Sequence, residues 1–435
     1  MDCIQNQYKF IVHELITVVI KRGRGPLRIL HTADWHLGKH LEGWSRYEEQ
    51  KEFVEEIIEI ADDNKVDMVL ICGDIFDTTN PPAEAEQLFF QAMDYLSKGG
   101  ERVICLISGN HDSPNRLMAP GPLASRQGIF IMDEPRGDRY KLDDDRVLNR
   151  GQGYIELEIN GEGVVLTALP YPSESRLNQV FSWTGDDRAV QESYSRRVGQ
   201  IFSHLEQYYR ENTINIAMSH LFVAGGQTTR SERPIQVGGS LTVLPEHLPE
   251  KSQYTALGHL HRYQIASSAR RAYYSGSPLQ YSLSEKDHKK CVNLVELHPG
   301  EEARIEQVEL TTKKPIEVWE AEGVEEAIKM VEANKDRSVW AYLYINVDKT
   351  LLQSEIKKIK EIKKDILCIN PITPEEKYEW ETIKMPDEDL DIMELFKEYY
   401  RKTKKVEPDD DIIRMFSSIV NDTREKGEHD ETAAS

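Results

Sequence analysis

The chain has 435 residues, 39% hydrophobic and 30% charged, and a formal net charge of −21. That length supports two or three domains with real cores, and the acidity argues against a generally basic surface, so any nucleic-acid contact must be local or borrowed from a partner. The five cysteines form no C-x-x-C pair and three lie in apolar runs, which reads as small core residues of a reduced, cytoplasmic protein.

At the start of the chain, Phe10 to Ile20 is too short to cross a bilayer and carries His13 and Glu14. No basic start or small-residue cleavage site marks a signal peptide, and no membrane association is expected. Lys21 to Gly25 can be encoded almost entirely by purines, as a ribosome-binding site is. Residues 1–26 are therefore taken as an extension, with translation expected to start near Leu27.

A repeated form begins there: a short apolar run that ends on polar residues. Leu27 to Leu30 leads into Asp34 and His36. A helix should follow, with Ser45 as N-cap, Glu48 as its capping-box partner and Phe53, Ile57, Ile58 and Ala61 on its apolar face. The strand Val66 to Cys72 then stops on Gly73-Asp74. A second helix, from about Ala83 to Lys98, stops at Gly99-Gly100. The strand Val103 to Ile107 delivers Gly109-Asn110-His111-Asp112. This β-α-β-α-β order predicts a largely parallel sheet.

From about Gly128 to Pro172 short alternating strands predict a second, antiparallel or mixed sheet. A helix around Val190 to Arg210 precedes the strand Ile214 to Met218, which ends on His220. Residues 222–240 read as a long loop, a kind that tends to be functional inside compact domains; its Gly225-Gly226 pair reads as loop geometry. Tyr254 to Leu257 leads into Gly258-His259-Leu260-His261. Tyr273 to Pro278 looks like a strand and turn, and Val292 to Leu297 with Ile305 to Leu310 close the sheet.

A boundary falls near Thr311 to Pro315. Residues 311–380 read as a small α+β domain, and 381–425 as a charged linker with two amphipathic helices. Leu390, Met393, Phe396, Tyr399 and Tyr400 stripe the first helix; Ile412, Ile413, Phe416, Ile419 and Val420 stripe the second. Such stripes after an acidic linker suit a partner's groove or coiled coil, with packing back onto their own domain as the alternative. Residues 426–435 are polar and acidic and are expected to be disordered.

Five strand ends carry Asp, Asn and His toward one crevice, where ligands of α/β sheets bind. Mixed imidazole and carboxylate donors suit manganese, iron or zinc better than magnesium or calcium. A pair of ions needs one carboxylate that touches both, and Asp74 is the lone acid at its strand end. Asp34 and His36 can face one ion, and His259 and His261, two apart, should point to one side. Asn110 adds an oxygen and His220 a nitrogen. Any one of these motifs is commonly structural; five in this order are not. His31 reads as a structural strand-end residue. His13, His40, His204, His247, His288, His298 and His429 read as surface or packing residues.

The runs Asp34-x-His36, Gly73-Asp74, Gly109-Asn110-His111-Asp112, His220 and Gly258-His259-x-His261 resemble the calcineurin-like metallophosphoesterase superfamily. Within it, Arg28 to Gly38, Gly73 to Asp77, Ser108 to Ser113 and Ser275 to Pro278 are similar to the bacterial SbcD-type nucleases. The resemblance is strong over about residues 27–300 and architectural beyond 310. It implies an α/β fold, a two-sheet sandwich flanked by helices, with the small α+β domain and terminal helical pair appended. It further implies that Asp34, His36 and His261 hold one ion, Asn110, His220 and His259 the other, and Asp74 both, with Mn2+ as the expected metal. His111 would act on the substrate, stabilising the transition state or protonating the leaving oxygen, with Asp112 orienting it. Asp77 agrees with the bacterial form; archaeal and eukaryotic relatives carry histidine there.

The activity implied is 3′→5′ double-strand exonuclease and single-strand endonuclease action on hairpins and DNA ends. The implied partner is an SbcC-like, SMC-type coiled-coil ATPase, in a two-plus-two heterotetramer built on a homodimer of the nuclease domain at the nucleoid. No G-x-x-x-x-G-K-[ST] motif is present, so ATP would be the partner's. Arg46, Arg116, Arg230 and Arg233 could grip DNA phosphates, with solvated surface roles equally open. A metallophosphatase or cyclic-nucleotide phosphodiesterase is the alternative enzyme, and a scaffold with a vestigial site is disfavoured because no ligand is missing.

Overall fold

Two stacked sheets carry the chain's ligand-bearing strand ends in the computed structural model. It describes residues 25–133, 144–173, 187–232, 241–348 and 351–372, together with 396–397, 400, 408, 412–414 and 416–417. The first sheet is built from β1 (Leu27–Thr32), β2 (Met68–Cys72), β3 (Val103–Ile107) and β4 (Ile129–Ile131), all mutually parallel. Helix α1 (Tyr47–Asp63) links β1 to β2, and α2 (Ala83–Ser97) links β2 to β3.

The second sheet is mixed. Its strands are β5 (Val147–Gly151), β6 (Tyr154–Ile159), β7 (Glu162–Leu169), β8 (Ile214–His220), β9 (Tyr254–Gly258), β10 (Gln264–Ser267) and β11 (Ala272–Tyr274). Their spatial order is β10-β11-β9-β8-β7-β6-β5. Strands β7, β8, β9 and β11 run parallel, with antiparallel pairs at both edges. Helix α3 (Asp187–Leu205) packs Tyr194, Val198 and Phe202 against this sheet's outer face. The chain then returns to the first sheet through β12 (Cys291–Leu297), antiparallel to β1, and β13 (Arg304–Glu309), antiparallel to β12.

Strand alternation explains why the parallel strands read as unbroken apolar runs. Met68, Leu70 and Cys72 of β2 face the second sheet across a shared core, while Val69 and Ile71 face Phe53, Ile57, Leu88 and Phe89 of the helices. Both faces are buried, so no polar phase survives. His31 is a polar residue in that shared core, beside Asn293, whose amide donates to the Tyr254 hydroxyl at 3.2 Å. His31 Nδ1 is 2.8 Å from the Tyr254 hydroxyl and its Nε2 is 3.2 Å from the Leu257 carbonyl. Burial depresses its pKa to about 3, so the ring bridges the sheets as a neutral group.

The start of α1 differs from the expected capping box. Arg46, not Ser45, is the N-cap residue, and it makes no side-chain cap bond. Ser45 sits in the two-residue strand Trp44–Ser45, where its Oγ accepts the Tyr47 N–H at 3.3 Å. The reason is tertiary. Arg46 is 2% exposed, and its guanidinium donates to Glu49 at 2.6 and 2.7 Å and to the Gln280 carbonyl at 2.7 Å. Charge-assisted bonds made in a buried setting outweigh a cap worth about 1 kcal/mol.

Beyond residue 315 the chain forms β14 (Ile316–Glu322), α4 (Val324–Ala333), β15 (Trp340–Asn346), α5 (Gln353–Ile362) and β16 (Ile366–Ile372), the three strands parallel. This unit leans on the hairpin after His36. Leu41, Ile316, Trp340, Tyr342 and Leu367 share one apolar cluster. The Trp340 indole N–H donates to Glu49 at 2.9 Å, and the Lys314 ammonium lies 3.4 Å from the Trp340 ring centre. The extension 1–24, the tail 426–435 and most of the two terminal helices lie outside the described residues. Where the terminal helices are described, the Phe396 and Phe416 rings stack at 3.9 Å. No helix among the described residues is long and apolar enough to cross a membrane.

Candidate metal centre

The carboxyl ends of β1, β2, β3, β8 and β9 open into one cleft. Backbone bonds stitch the first two loops together: Asp34 N–H to the Gly73 carbonyl at 3.0 Å, and His36 N–H to the Asp74 carbonyl at 3.0 Å. The His259 N–H then donates to both Asp34 oxygens at 3.0 Å, joining the two sheets. Asp34, His36, Asp74 and His259 all have positive φ, between 45° and 110°. Non-glycine residues held there cost about 1–3 kcal/mol each and cluster at functional sites.

The glycines before the ligands have a steric cause. A Cβ on Gly109 would strike the Asp74 carboxylate and backbone, and one on Gly258 would strike the Cys72 carbonyl. The loops are packed too closely for any side chain between the motifs. A conformational demand explains Gly73 as well, at φ 84°.

Among the described residues, atoms able to ligate a metal gather in three groups, Asp34–His36–His261, Asp74–His220–His259 and His36–Asp77–His111, each within 4.8 Å. Hydrogen bonds behind the rings fix which nitrogen faces the cleft. His220 Nδ1 is 2.9 Å from the Cys72 carbonyl, which only accepts, so Nδ1 carries the proton. Its Nε2 faces the cleft, 3.0 Å from Asn110 Oδ1. The His259 Nδ1 reaches the same oxygen at 3.1 Å.

His261 is set the same way. The Ser231 hydroxyl donates to the Glu285 carboxylate and so accepts from His261 Nδ1 at 2.6 Å. His261 Nε2 then faces the cleft, 3.0 Å from His36 Nε2. The donor chemistry thus fits two divalent ions bound by imidazole, carboxylate and amide oxygen, with Asp74 Oδ2 3.7 Å from His36 Nε2 and 3.5 Å from His220 Nε2.

The electrostatics express the same demand. Burial alone would raise the Asp74 carboxyl, but the imidazoles of His220 and His111 outweigh it and hold it well below the usual range. Burial depresses His220 too, yet Asp74 and Asp34 lift it to about 9. Burial and neighbouring imidazoles hold His36 and His259 well below their ordinary value.

Sequence reasoning places His259 and His261 on one side of a strand end. In the structure their rings diverge, His259 toward Asn110 and His261 toward His36. The alternation of an extended strand is broken by His259, whose φ is 110°. The Asp112 carboxylate does not orient His111, contrary to expectation. It accepts the N–H groups of Ile75, Phe76 and Gly109 at 3.1, 2.9 and 2.9 Å, which pins the two ligand loops together. The His111 ring is fixed by Nδ1, 2.7 Å from the Asp77 carbonyl.

The arginines divide. Arg46 is buried and fully engaged, which removes it as a DNA contact. Arg116 donates to Glu86 and Asn80 at 2.8 and 2.7 Å, Arg230 is exposed on the loop before His261, and Arg233 lies outside the described residues.

The support behind His261 escapes sequence reasoning. Glu285 and Lys290 form an ion pair with both side chains about 1% exposed or less. The Lys290 ammonium also donates to the His261 carbonyl at 3.0 Å and to Ser277 Oγ at 2.9 Å. Removing one partner of such a pair leaves a buried uncompensated charge. Lys290→Met is expected to destabilise the fold by about 3–5 kcal/mol; an unchanged midpoint in urea unfolding would show that Glu285 has found another partner or water.

The family description "Calcineurin-like phosphoesterase" matches residues 27–263. The SbcD subunit of the SbcCD nuclease of Bacillus subtilis is 40% identical over 403 residues, covering 92% of this chain and 99% of that one. The Rhodobacter capsulatus protein of the same name is 34% identical over 281 residues, covering 63% of this chain and 67% of that one. The Staphylococcus epidermidis one is 27% identical over 398 residues, covering 91% and 99%.

Proposed function

The chain belongs to the calcineurin-like phosphoesterases and, within them, to the family of SbcD subunits of SbcCD nucleases, so it is a metal-dependent nuclease that hydrolyses phosphodiesters, and from that premise we propose its finer activity. It is a manganese-dependent 3′→5′ double-strand DNA exonuclease and single-strand endonuclease acting on ends and hairpins. The observation that carries this is the convergence of Asp34, His36 and His261, and of Asp74, His220 and His259, into buried groups whose ligating atoms lie within 4.8 Å of one another, in a chain that matches an SbcD subunit over 92% of its length.

Asp34, His36 and His261 would hold one ion and Asn110, His220 and His259 the other, with Asp74 as the carboxylate available to both. When bound, such a pair polarises the phosphate and lowers the pKa of an attacking water. His111, with its Nδ1 proton committed to the Asp77 carbonyl, would act as an imidazolium whose second proton, on Nε2, passes to the leaving oxygen and leaves the ring neutral. Asp112 keeps the loops that carry Asp74 and Asn110 in register. Arg116 and Arg230 are the remaining described arginines for DNA phosphates.

An SbcC-like coiled-coil ATPase supplies ATP control at the nucleoid, bound through residues 386–425, in a two-plus-two complex over a homodimer. The near-complete coverage of the Bacillus relative favours this over a metallophosphatase or cyclic-nucleotide phosphodiesterase, which would not need residues 311–425. Assay of the purified chain with Mn2+ on a hairpin duplex and on a small phosphodiester separates the two: cleavage of the small ester alone would overturn the nuclease activity proposed. Deleting residues 386–425 should abolish co-purification with the ATPase while leaving metal content unchanged; retained capture would place docking elsewhere.

A further inference from the structure

The mechanism leaves one nitrogen of His36 unused. Its Nδ1 is buried and has no hydrogen-bond partner among the described residues. Its Nε2 lies 3.0 Å from His261 Nε2 across the cleft. When Nε2 binds an ion, the ring proton must sit on Nδ1, and a buried N–H without an acceptor costs about 1–3 kcal/mol. Histidines that bind metals almost always donate that proton to a carboxylate, carbonyl or water. The carboxylate at hand is Asp77, whose Oδ1 is 3.6 Å from His36 Nδ1.

Asp77 is held for this task. The Lys39 ammonium donates to the same Oδ1 at 2.7 Å, and the Asp77 carbonyl is fixed by His111. A carboxylate oxygen has a second lone pair free for His36, and a shift of a few tenths of an ångström completes the bond.

We propose that Asp77 is a positioning residue for the metal site: its carboxylate accepts the Nδ1 proton of His36 and aims Nε2 at the ion shared with Asp34 and His261. Lys39 is its counter-charge. This rests on the two-ion reading above. The ligand atoms of His36, Asp77 and His111 also lie within 4.8 Å of one another, a spacing that could hold a third ion. The ammonium already bound to Asp77 Oδ1 opposes a cation there.

Calorimetric titration of the chelator-stripped, full-length chain with Mn2+ tests it. Wild type should take up two ions. Asp77→Ala should still take up two, one of them about 10–100-fold more weakly, as loss of an outer carboxylate partner does. Asp77→Asn, which keeps an acceptor oxygen and the shape, should lose less, and Lys39→Gln less than Asp77→Ala. Circular dichroism checks that each variant is folded. A wild type that takes up no Mn2+ removes the two-ion reading and this inference with it. A wild type that takes up two, matched by Asp77→Ala, overturns this inference alone. So does equal weakening by Lys39→Gln and Asp77→Ala, which would assign the effect to the ion pair, or loss of a third ion in Asp77→Ala, which would make Asp77 a direct ligand.

Discussion

His111→Gln is expected to lower phosphodiester cleavage by roughly 10²–10⁴-fold, the contribution of a positioned acid or base, while metal content stays near wild type. Geometry separates the two effects. His111 Nε2 is 3.9 Å from Asp74 Oδ2, and the two ligand groups assigned to the ions form without it. Its backbone N–H, not its ring, makes the 2.9 Å bond to Asp74 Oδ1, and glutamine preserves that bond. Glutamine does not titrate, so the variant should also lose the limb of the pH–rate profile that belongs to the acid. Inductively coupled plasma measurement of bound metal, set beside kcat, decides the matter: parallel loss of both would make His111 a ligand.

Asp74→Asn is expected to be more severe, because it removes the negative charge from the centre of the site while keeping its shape. Asparagine can still accept the His111 N–H through an oxygen. Its NH2 group, however, would point where Oδ2 now lies, between His36 and His220. Neutral amide oxygen is a poor bridge between two cations, so both ions should weaken together, beyond the roughly 10–100-fold typical of an outer partner. Cleavage should fall to background with them. Selective loss of one ion would show that Asp74 serves a single metal and that the bridge lies elsewhere.

Between these residues runs the line dividing what could be read from what could not. The capping box at Ser45 fails because a buried guanidinium, bonded 234 residues away to Gln280, decides where α1 begins. The network of Ser231, Glu232, Glu285 and Lys290 leaves no local signal. Glu232 accepts the His261 N–H at 2.8 Å, yet an acid in a Gly-, Ser- and Thr-rich loop looks solvated. The long loop itself does carry a hint, since a structureless stretch of that length inside a domain is rarely idle.

The sequence by itself determined the strands, the residue types at their ends and their order. Burial on both faces writes an unbroken apolar run, and a chain leaving such a run on Gly-Asp, Gly-Asn-His or Gly-His has few reasons to do so other than a polar site at a strand end. Only the tertiary structure decided how the candidate ligands group, the split of His259 from His261, and the conversion of Asp112 and Arg46 into structural fasteners. Those outcomes depend on which atoms meet across the two sheets. Pair distances between residues hundreds of positions apart are fixed by packing, and local sequence carries no record of them.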